Sequence, residues 1–353
     1  MAAPQPVARA RPVRLRVALA LLLALPALIV CAGGDSRNDA GRDPARDVPR
    51  REQSGLERVA LARVVDGDTL DVTRNGHPVR VRLLGVDTEE RLHATALTAA
   101  DAPQTVFGEE TALWLAELLA GTGPLGLLLP GGRERRDDHG RLLAHLALAD
   151  GRDLNVLLVR LGRSPYFQRY GPSELDHAGF ERAQNLARRE RLGIWDPRTN
   201  QPRHPGAPRA QRDYPRLLAW WQARAAAVRA FGEQRLSDGT VVLAADRPEE
   251  LERAARLGGA VRIFAEVEGA QELESGALLV FLAAPPSAPG LRLLVPAALR
   301  PALAGLDLAH RGQPGRQSFV WIEGCVRARS GHWWITLRSA EHLRLAGPEP
   351  SGG

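Results

Sequence analysis

The sequence predicts an α+β protein built on small β-barrels, two in succession, with helices attached. Three observations carry that prediction. The chain has 353 residues, 44% hydrophobic and 25% charged, the composition of a folded chain of about two domains. Val- and Leu-rich, strand-like segments flank acidic turns from Val64 onward. Toward the C-terminus, alternating segments at 260–267, 277–283, 291–295, 318–327 and 332–338, with a helical insert at about 296–306, fit a small Greek-key barrel.

Composition excludes several chemistries. The 47 basic residues are all arginine, so there is no Schiff-base lysine, no phosphate-loop lysine and no kinase-type strand lysine. Codon usage in a GC-rich genome is the plain reading of that bias. The two cysteines, Cys31 and Cys325, cannot form a disulfide framework or a cysteine-based zinc site. The nine histidines show no metal-ligand spacing. The formal charge of +6 invites a nucleic-acid or anionic-surface reading.

In chain order, residues 1–32 read as a secretory signal: Arg9, Arg11, Arg14 and Arg16, then an apolar run from Val17 to Ala32 broken by Pro26. Three fates are open: cleavage after Ala32, lipidation of Cys31 in a lipobox-like Leu28-Ile29-Val30-Cys31, or an uncleaved anchor, although the run is short of the ~20 residues that span comfortably. Each places the folded part outside the cytoplasm, secreted, periplasmic or lipid-anchored to the envelope. Residues 33–57 are Gly-, Asp-, Arg- and Pro-rich and read as a flexible, solvated linker. Residues 58–197 form the first globular region. Residues 198–235 combine a Pro-rich linker with a helix at 214–231, where Leu217, Trp220, Trp221, Ala225 and Val228 follow helical spacing. Residues 236–347 are the second region, opened by a helix with Asp246 and Glu249 as a capping box and Gly258 as its stop, and 348–353 is a tail.

The first four arginines lie in the signal, and neither globular region is basic as a whole. The charge gathers instead in 198–235, with eight arginines and two acids. That segment has two readings: contact with nucleic acid or an anionic surface, or a solvated linker whose Trp-bearing face docks one domain on the other.

The chemistry is carried by Asp66-Gly67-Asp68-Thr69 between strand-like runs, by Val79 to Val86 running into Asp87-Thr88-Glu89-Glu90, and by Asp137-Asp138-His139-Gly140-Arg141. Paired aspartates are hard oxygen ligands for Ca²⁺ or Mg²⁺. Arginines grip phosphate oxygens with paired hydrogen bonds. A neighbouring glutamate can deprotonate water. Together these suffice for phosphodiester hydrolysis. Taken singly, the aspartates are turn formers and the arginines surface charges; their co-occurrence gives them meaning.

Five pieces stand in order: the Asp-Gly-Asp-Thr turn, Arg82-Leu-Leu-x-Val-Asp-Thr-x-Glu90, Gly140-Arg-Leu-Leu-Ala144, Asn155-x-x-Leu-Val-Arg-x-Gly162, and Arg191-Leu-Gly-Ile-Trp195. With these, the chain resembles the staphylococcal nuclease (thermonuclease) family over about residues 58–196. The resemblance implies a five-stranded OB barrel with three helices, and cleavage of DNA and/or RNA. It implies Asp68, Asp87 and the Thr88 carbonyl as calcium ligands, Glu90 as general base, Arg82 and Arg141 as phosphate-gripping catalytic arginines, and Asp66 as a carboxylate beside the metal. Tyr166 and Tyr170 fall where the family places nucleotide-stacking tyrosines, with ordinary packing as the alternative.

Three positions depart from the family pattern. Glu89 replaces the usual Pro, either as an extra metal ligand or as a charge repelling substrate. Asp138 stands where a phosphate-contacting lysine sits, and His139 replaces a frequent Tyr. The Arg91–Phe107 loop is somewhat longer than usual. Residues 258–346 resemble an OB-fold nucleic-acid-binding module by pattern alone, a fold that also serves as a structural or protein-binding module. Trp321, Trp333 and Trp334 lie in it, as core residues or base-stacking platforms. The expected function is an exported calcium-dependent nuclease with no protein partner. The alternative is a catalytically impaired nucleic-acid-binding or scaffold protein of the same fold. Retention of both aspartates, both arginines and the glutamate favours the former.

Overall fold

The computed structural model describes residues 43–92, 104–199, 212–237, 241–285 and 288–350. The signal segment with its Cys31 lipobox, the start of the 33–57 linker, most of the lengthened loop before Phe107, and residues 200–211 lie outside the described residues.

Strands β1 (Glu57–Val64), β2 (Thr69–Arg74), β3 (His77–Leu83), β4 (Leu125–Leu128) and β5 (Leu142–Ala147) close into a barrel in the order β1-β2-β3-β5-β4. Every pairing is antiparallel except β3 with β5, where Arg82 lies opposite Leu143. That single parallel pair requires a crossover, which helix α1 (Val106–Leu119) and β4 supply. Asn75 and Gly76, both at positive φ, make the tight β2–β3 turn. Leu70, Val81, Leu83, Leu115, Leu125, Leu142 and Leu146 are almost wholly buried inside. Each such side chain contributes about 1.5–3 kcal/mol of burial. Helix α2 (Leu154–Arg160) starts at Asp153, whose carboxylate accepts from the Asn155 and Val156 N–H groups. Helix α3 (His177–Arg189) covers the remaining side through Phe180 and Ala183.

The barrel's first strand begins at Glu57, as expected, but the packed chain begins before it. Of the expected solvated linker, the part from residue 43 is docked: Ala45 and Val48 join the core, and Arg51 pairs with buried Asp153 at 3.0 Å. Two small apolar side chains, ion pairs of Arg51 with Asp153 and Asp176 and of Asp47 with Arg160, and backbone hydrogen bonds to Gly151 and Asp153 fasten a segment whose composition reads as spacer.

Helix α4 (Tyr214–Ser237) leads to β6 (Val242–Ala244), α5 (Pro248–Leu257), β7 (Val261–Glu272), β8 (Leu278–Leu282), β9 (Leu291–Val295), α6 (Arg300–Leu303), β10 (Phe319–Gly324), β11 (Arg327–Arg329), β12 (His332–Thr336) and β13 (Leu343–Leu345). The sheet runs β11-β12-β9-β8-β7-β10-β13, with β6 beside β7. Only Cys325 and Val326 separate β10 from β11, which lie far apart along that path, so the sheet must curl until they meet. The wiring of β7 to β12 repeats that of the first barrel, including its parallel pair, here β9 with β12, and β6 adds a second parallel pair with β7. The expected single strand 318–327 is thus one strand bent into β10 and β11. The capping box at Asp246 does not form: Arg247 is the N-cap, Pro248 takes the first turn, and Gly258 ends the helix at φ +66 as expected. The expected tail is tied down, with Glu349 accepting from the Gln317 N–H at 3.1 Å and pairing with buried Arg311.

Helix α4 bears out the docking reading for its own Trp-bearing face; residues 200–211, with Arg203 and Arg209, lie outside the described residues. Trp220 and Trp221 are 4% and 3% exposed. Trp221 meets Phe167 edge-on at 4.8 Å, while the Trp220 indole N–H donates to the Arg316 carbonyl at 2.8 Å. Arg224, 1% exposed, donates to the Arg169 carbonyl and to Glu266. Ala227 packs with Phe264, Phe319 and Trp321. The helix is a wedge gripped by both barrels, and its tryptophans are not a free surface for an anionic partner.

Candidate active site

The Asp-Gly-Asp turn joins β1 to β2. The Asp66 carboxylate accepts the Asp68 N–H at 3.0 Å, fixing the turn on itself. A Cβ on Gly67 would lie 2.7–2.8 Å from the Thr88 and Thr111 side chains, so only glycine lets the strand end carrying Thr88 close on the turn. Asp68 is buried, and its Oδ2 accepts the Thr88 N–H at 2.9 Å and the Thr88 hydroxyl at 3.1 Å. Two segments separated by β2 and β3 are thereby clamped together.

Arg82, near the end of β3, reaches both aspartates. Its Nη1 lies 2.7 Å from Asp68 Oδ1, and its Nη2 donates to Asp87 Oδ1 at 3.0 Å. The Asp87 N–H donates to Ser164 Oγ at 2.7 Å. Glu90 follows. Its carbonyl accepts the Thr105 N–H at 3.1 Å, and a Cβ on Gly108 would lie 2.1 Å from that carbonyl oxygen. The first turn of α1 therefore rests on the Glu90 backbone, with Thr105 as its N-cap. Immediately before β5, beside β3, Arg141 is held by Asp137, Nε to Oδ2 at 2.7 Å, and it borders a cleft of about 500 Å³. Arg82, Asp138, His139, Arg141 and Tyr170 all line this cleft.

The site carries excess negative charge. Burial, then the charge of Asp68, pushes the Asp66 carboxyl up to about 7. Burial, then the charges of Asp68 and Asp87, raises Glu90. A carboxylate so raised is a better proton acceptor at neutral pH. Asp68 and Asp87 both reach one guanidinium, so their oxygens already converge. Among the described residues no group of three or more His, Cys, Asp or Glu side chains could cage a metal. The converging oxygens of Asp68 and Asp87 are hard donors of the kind that hold Ca²⁺ or Mg²⁺, and in this structure they are occupied by Arg82, Arg212 and Thr88.

Other expected site residues are placed differently. Tyr166 is fully buried, stacked on Phe180 at 4.6 Å, with its hydroxyl accepting the Ser173 N–H at 2.7 Å. Its ring face is taken by the core, so it is a packing residue and not a base-stacking one. Tyr170, by contrast, is 67% exposed at the cleft. Glu89 is neither an extra ligand nor a repelling charge. It is 1% exposed, its Oε1 accepting the Tyr214 hydroxyl at 2.7 Å and its Oε2 the Thr105 hydroxyl at 2.5 Å.

Sequence reasoning missed Arg212 and Tyr214. Arg212 Nη1 donates to Asp87 Oδ2 at 2.9 Å and to the Asp87 carbonyl at 3.1 Å. With Tyr214 on Glu89, the residues leading into α4 form a strap over the strand end that carries the site. The only advance signal was the arginine-rich composition of the linker, which does not single out one arginine.

A family model described as "Staphylococcal nuclease homologue" matches residues 80–197. Thermonuclease of Staphylococcus intermedius is 31% identical over 142 residues, 40% of this chain and 77% of its own. Endonuclease YhcR of Bacillus subtilis (strain 168) is 32% identical over 43% of this chain, and SPbeta prophage-derived endonuclease YokF of the same organism is 34% identical over 40%. The matches span only 12% and 44% of those two proteins' own lengths.

Proposed function

The chain belongs to the staphylococcal nuclease family, and from that premise we propose that it is an exported, calcium-dependent nuclease hydrolysing phosphodiester bonds of DNA and/or RNA. The observation that supports this most is the convergence of Asp68, Asp87 and Arg82, with the Glu90 carboxyl within reach of their charges, beside a cleft that Arg82 and Arg141 both line. The printed names of the three relatives, two endonucleases and a thermonuclease, favour the same reaction.

Asp68, Asp87 and the Thr88 carbonyl would hold the cation. When bound, it supplies Lewis-acid neutralisation of charge on a phosphate oxygen. The chain's own residues do the rest. Glu90 accepts a proton from the attacking water, and its raised affinity for protons suits that task. Arg141, oriented by Asp137, donates to phosphate oxygens as negative charge grows in the transition state. Arg82 sits between the two aspartates and presents the same donor type from the neighbouring strand. Tyr170 offers an exposed ring for a base at the cleft. The signal-like N-terminus supports export.

Cleavage of DNA and RNA by the chain lacking residues 1–32, in calcium and in EDTA, tests the reading together with Glu90→Gln. Loss of cleavage in EDTA and a drop on the order of 10²-fold or more in Glu90→Gln are expected. Cleavage indifferent to both overturns the mechanism.

A further inference from the structure

The outer face of the second barrel concentrates arginine around one tryptophan. Inward residues of β9 and β12, Leu291, Leu293, Val295 and Ile335, are almost wholly buried, so strand alternation turns Arg292, Trp334 and Thr336 outward. Register sets Arg327 of β11 opposite Trp334, and Trp334 opposite Arg292 of β9. Three strands thus present an Arg–Trp–Arg row. The Arg292 and Arg329 guanidiniums lie 5.5 and 5.8 Å from the Trp334 ring centre. Arg338 extends the patch, and Arg327, Arg329, Trp334, Thr336 and Arg338 line a groove of about 290 Å³.

These arginines differ from those that the fold ties down with acids. Arg82, Arg141, Arg224 and Arg311 are each tied to a carboxylate. Among the described residues, no ion pair to Asp or Glu forms at Arg292, Arg327, Arg329 or Arg338. Arg292 instead donates to His332 Nε2 at 2.7 Å. Mutually repelling cations gathered on one sheet face, with no acid to neutralise them, suit a polyanion. A flat indole among them suits an unpaired base.

We propose that this face is a second nucleic-acid-binding site, which holds single-stranded DNA or RNA by its phosphates and stacks one base on Trp334. The site is separate from the cleavage cleft and does not depend on catalysis. Each arginine that neutralises a phosphate releases a counterion, so affinity falls with salt by about 0.7 per contact on a log–log scale for single strands. Stacking on Trp334 adds a salt-independent share.

The test measures binding of a fluorescent oligothymidylate to the chain lacking residues 1–32, in EDTA, across a salt series. EDTA removes cleavage from the readout, so failure here leaves the nuclease reading untouched, and the converse holds. The expected result for Arg327→Gln, Arg329→Gln and Arg338→Gln combined is a salt slope smaller by about 2. The lysine equivalents should retain the slope. Trp334→Ala should weaken binding at least about fivefold at fixed salt, with Trp334→Phe near wild type. An Arg82→Ala, Arg141→Ala double variant should keep the portion of binding that the groove variant loses. Unchanged affinity and slope in the groove variant, with wild-type thermal unfolding, overturn the proposal. So does binding to anionic phospholipid vesicles with none to the oligonucleotide.

Discussion

Asp153 shows how much one buried carboxylate can organise. It caps α2 through two backbone N–H groups, and its Oδ2 lies 3.0 Å from both His145 Nδ1 and Arg51 Nη2. Burial alone would raise its carboxyl, but the charge and hydrogen bond of His145, with Arg51 and the backbone donors, outweigh that and hold it below the usual aspartate range. A carboxyl lowered in the folded state stabilises the fold above its unfolded value of about 4, and that stability is lost as pH falls through the folded value. Asp153→Asn should therefore cost about 3 kcal/mol near neutral pH, with the deficit shrinking in acid. Denaturant unfolding of both proteins across pH 3–7 checks it; a deficit independent of pH contradicts the assignment.

At the scale of elements, the strap from Arg212 to Tyr214 explains the chain's main departure from its family. Proline is usual at position 89, but here a glutamate reaches α1 through Thr105 and the start of α4 through Tyr214. Restoring the family residue with Glu89→Pro removes both partners and leaves the buried Tyr214 hydroxyl unpaired. The expected loss is about 2–3 kcal/mol of stability, read by thermal unfolding. Activity rising with unchanged stability would instead favour the repelling-charge reading.

Arg212 makes a second claim on the same strand end. Its guanidinium sits on Asp87 Oδ2, an oxygen the cation would use, so the two positive charges compete. Arg212→Ala should bind calcium about tenfold more tightly by calorimetric titration. Weaker binding would show that Arg212 orients Asp87 rather than masking it.

Across the whole molecule, legibility followed the range of the interactions. The Asp-Gly-Asp turn, the Arg82–Glu90 strand end and the alternating strands of the second barrel were readable, because each is coded within a few neighbouring residues. The burial of Tyr166 was not, because it depends on Phe180 and Ser173, which enter with α3 and the loop before it. Nor was Arg212, which reaches Asp87 over 125 positions of sequence. The wedge formed by α4 was legible only as amphipathic spacing with two tryptophans; docking and nucleic-acid contact predict the same pattern. Net charge was the least informative signal. The arginines that matter are placed individually, in the cleft and on the outer face of the second barrel, within regions that are not basic as a whole.

Arg82, Asp68 and Asp87 are proposed as the core of a phosphodiesterase site. The most direct measurement is the calcium-supported cleavage rate of single-stranded DNA by Arg82→Ala against wild type, with thermal unfolding recorded alongside. A loss on the order of 10²–10³ in rate, in a protein that still folds, is the predicted result. A folded Arg82→Ala variant that cleaves at the wild-type rate would contradict the account.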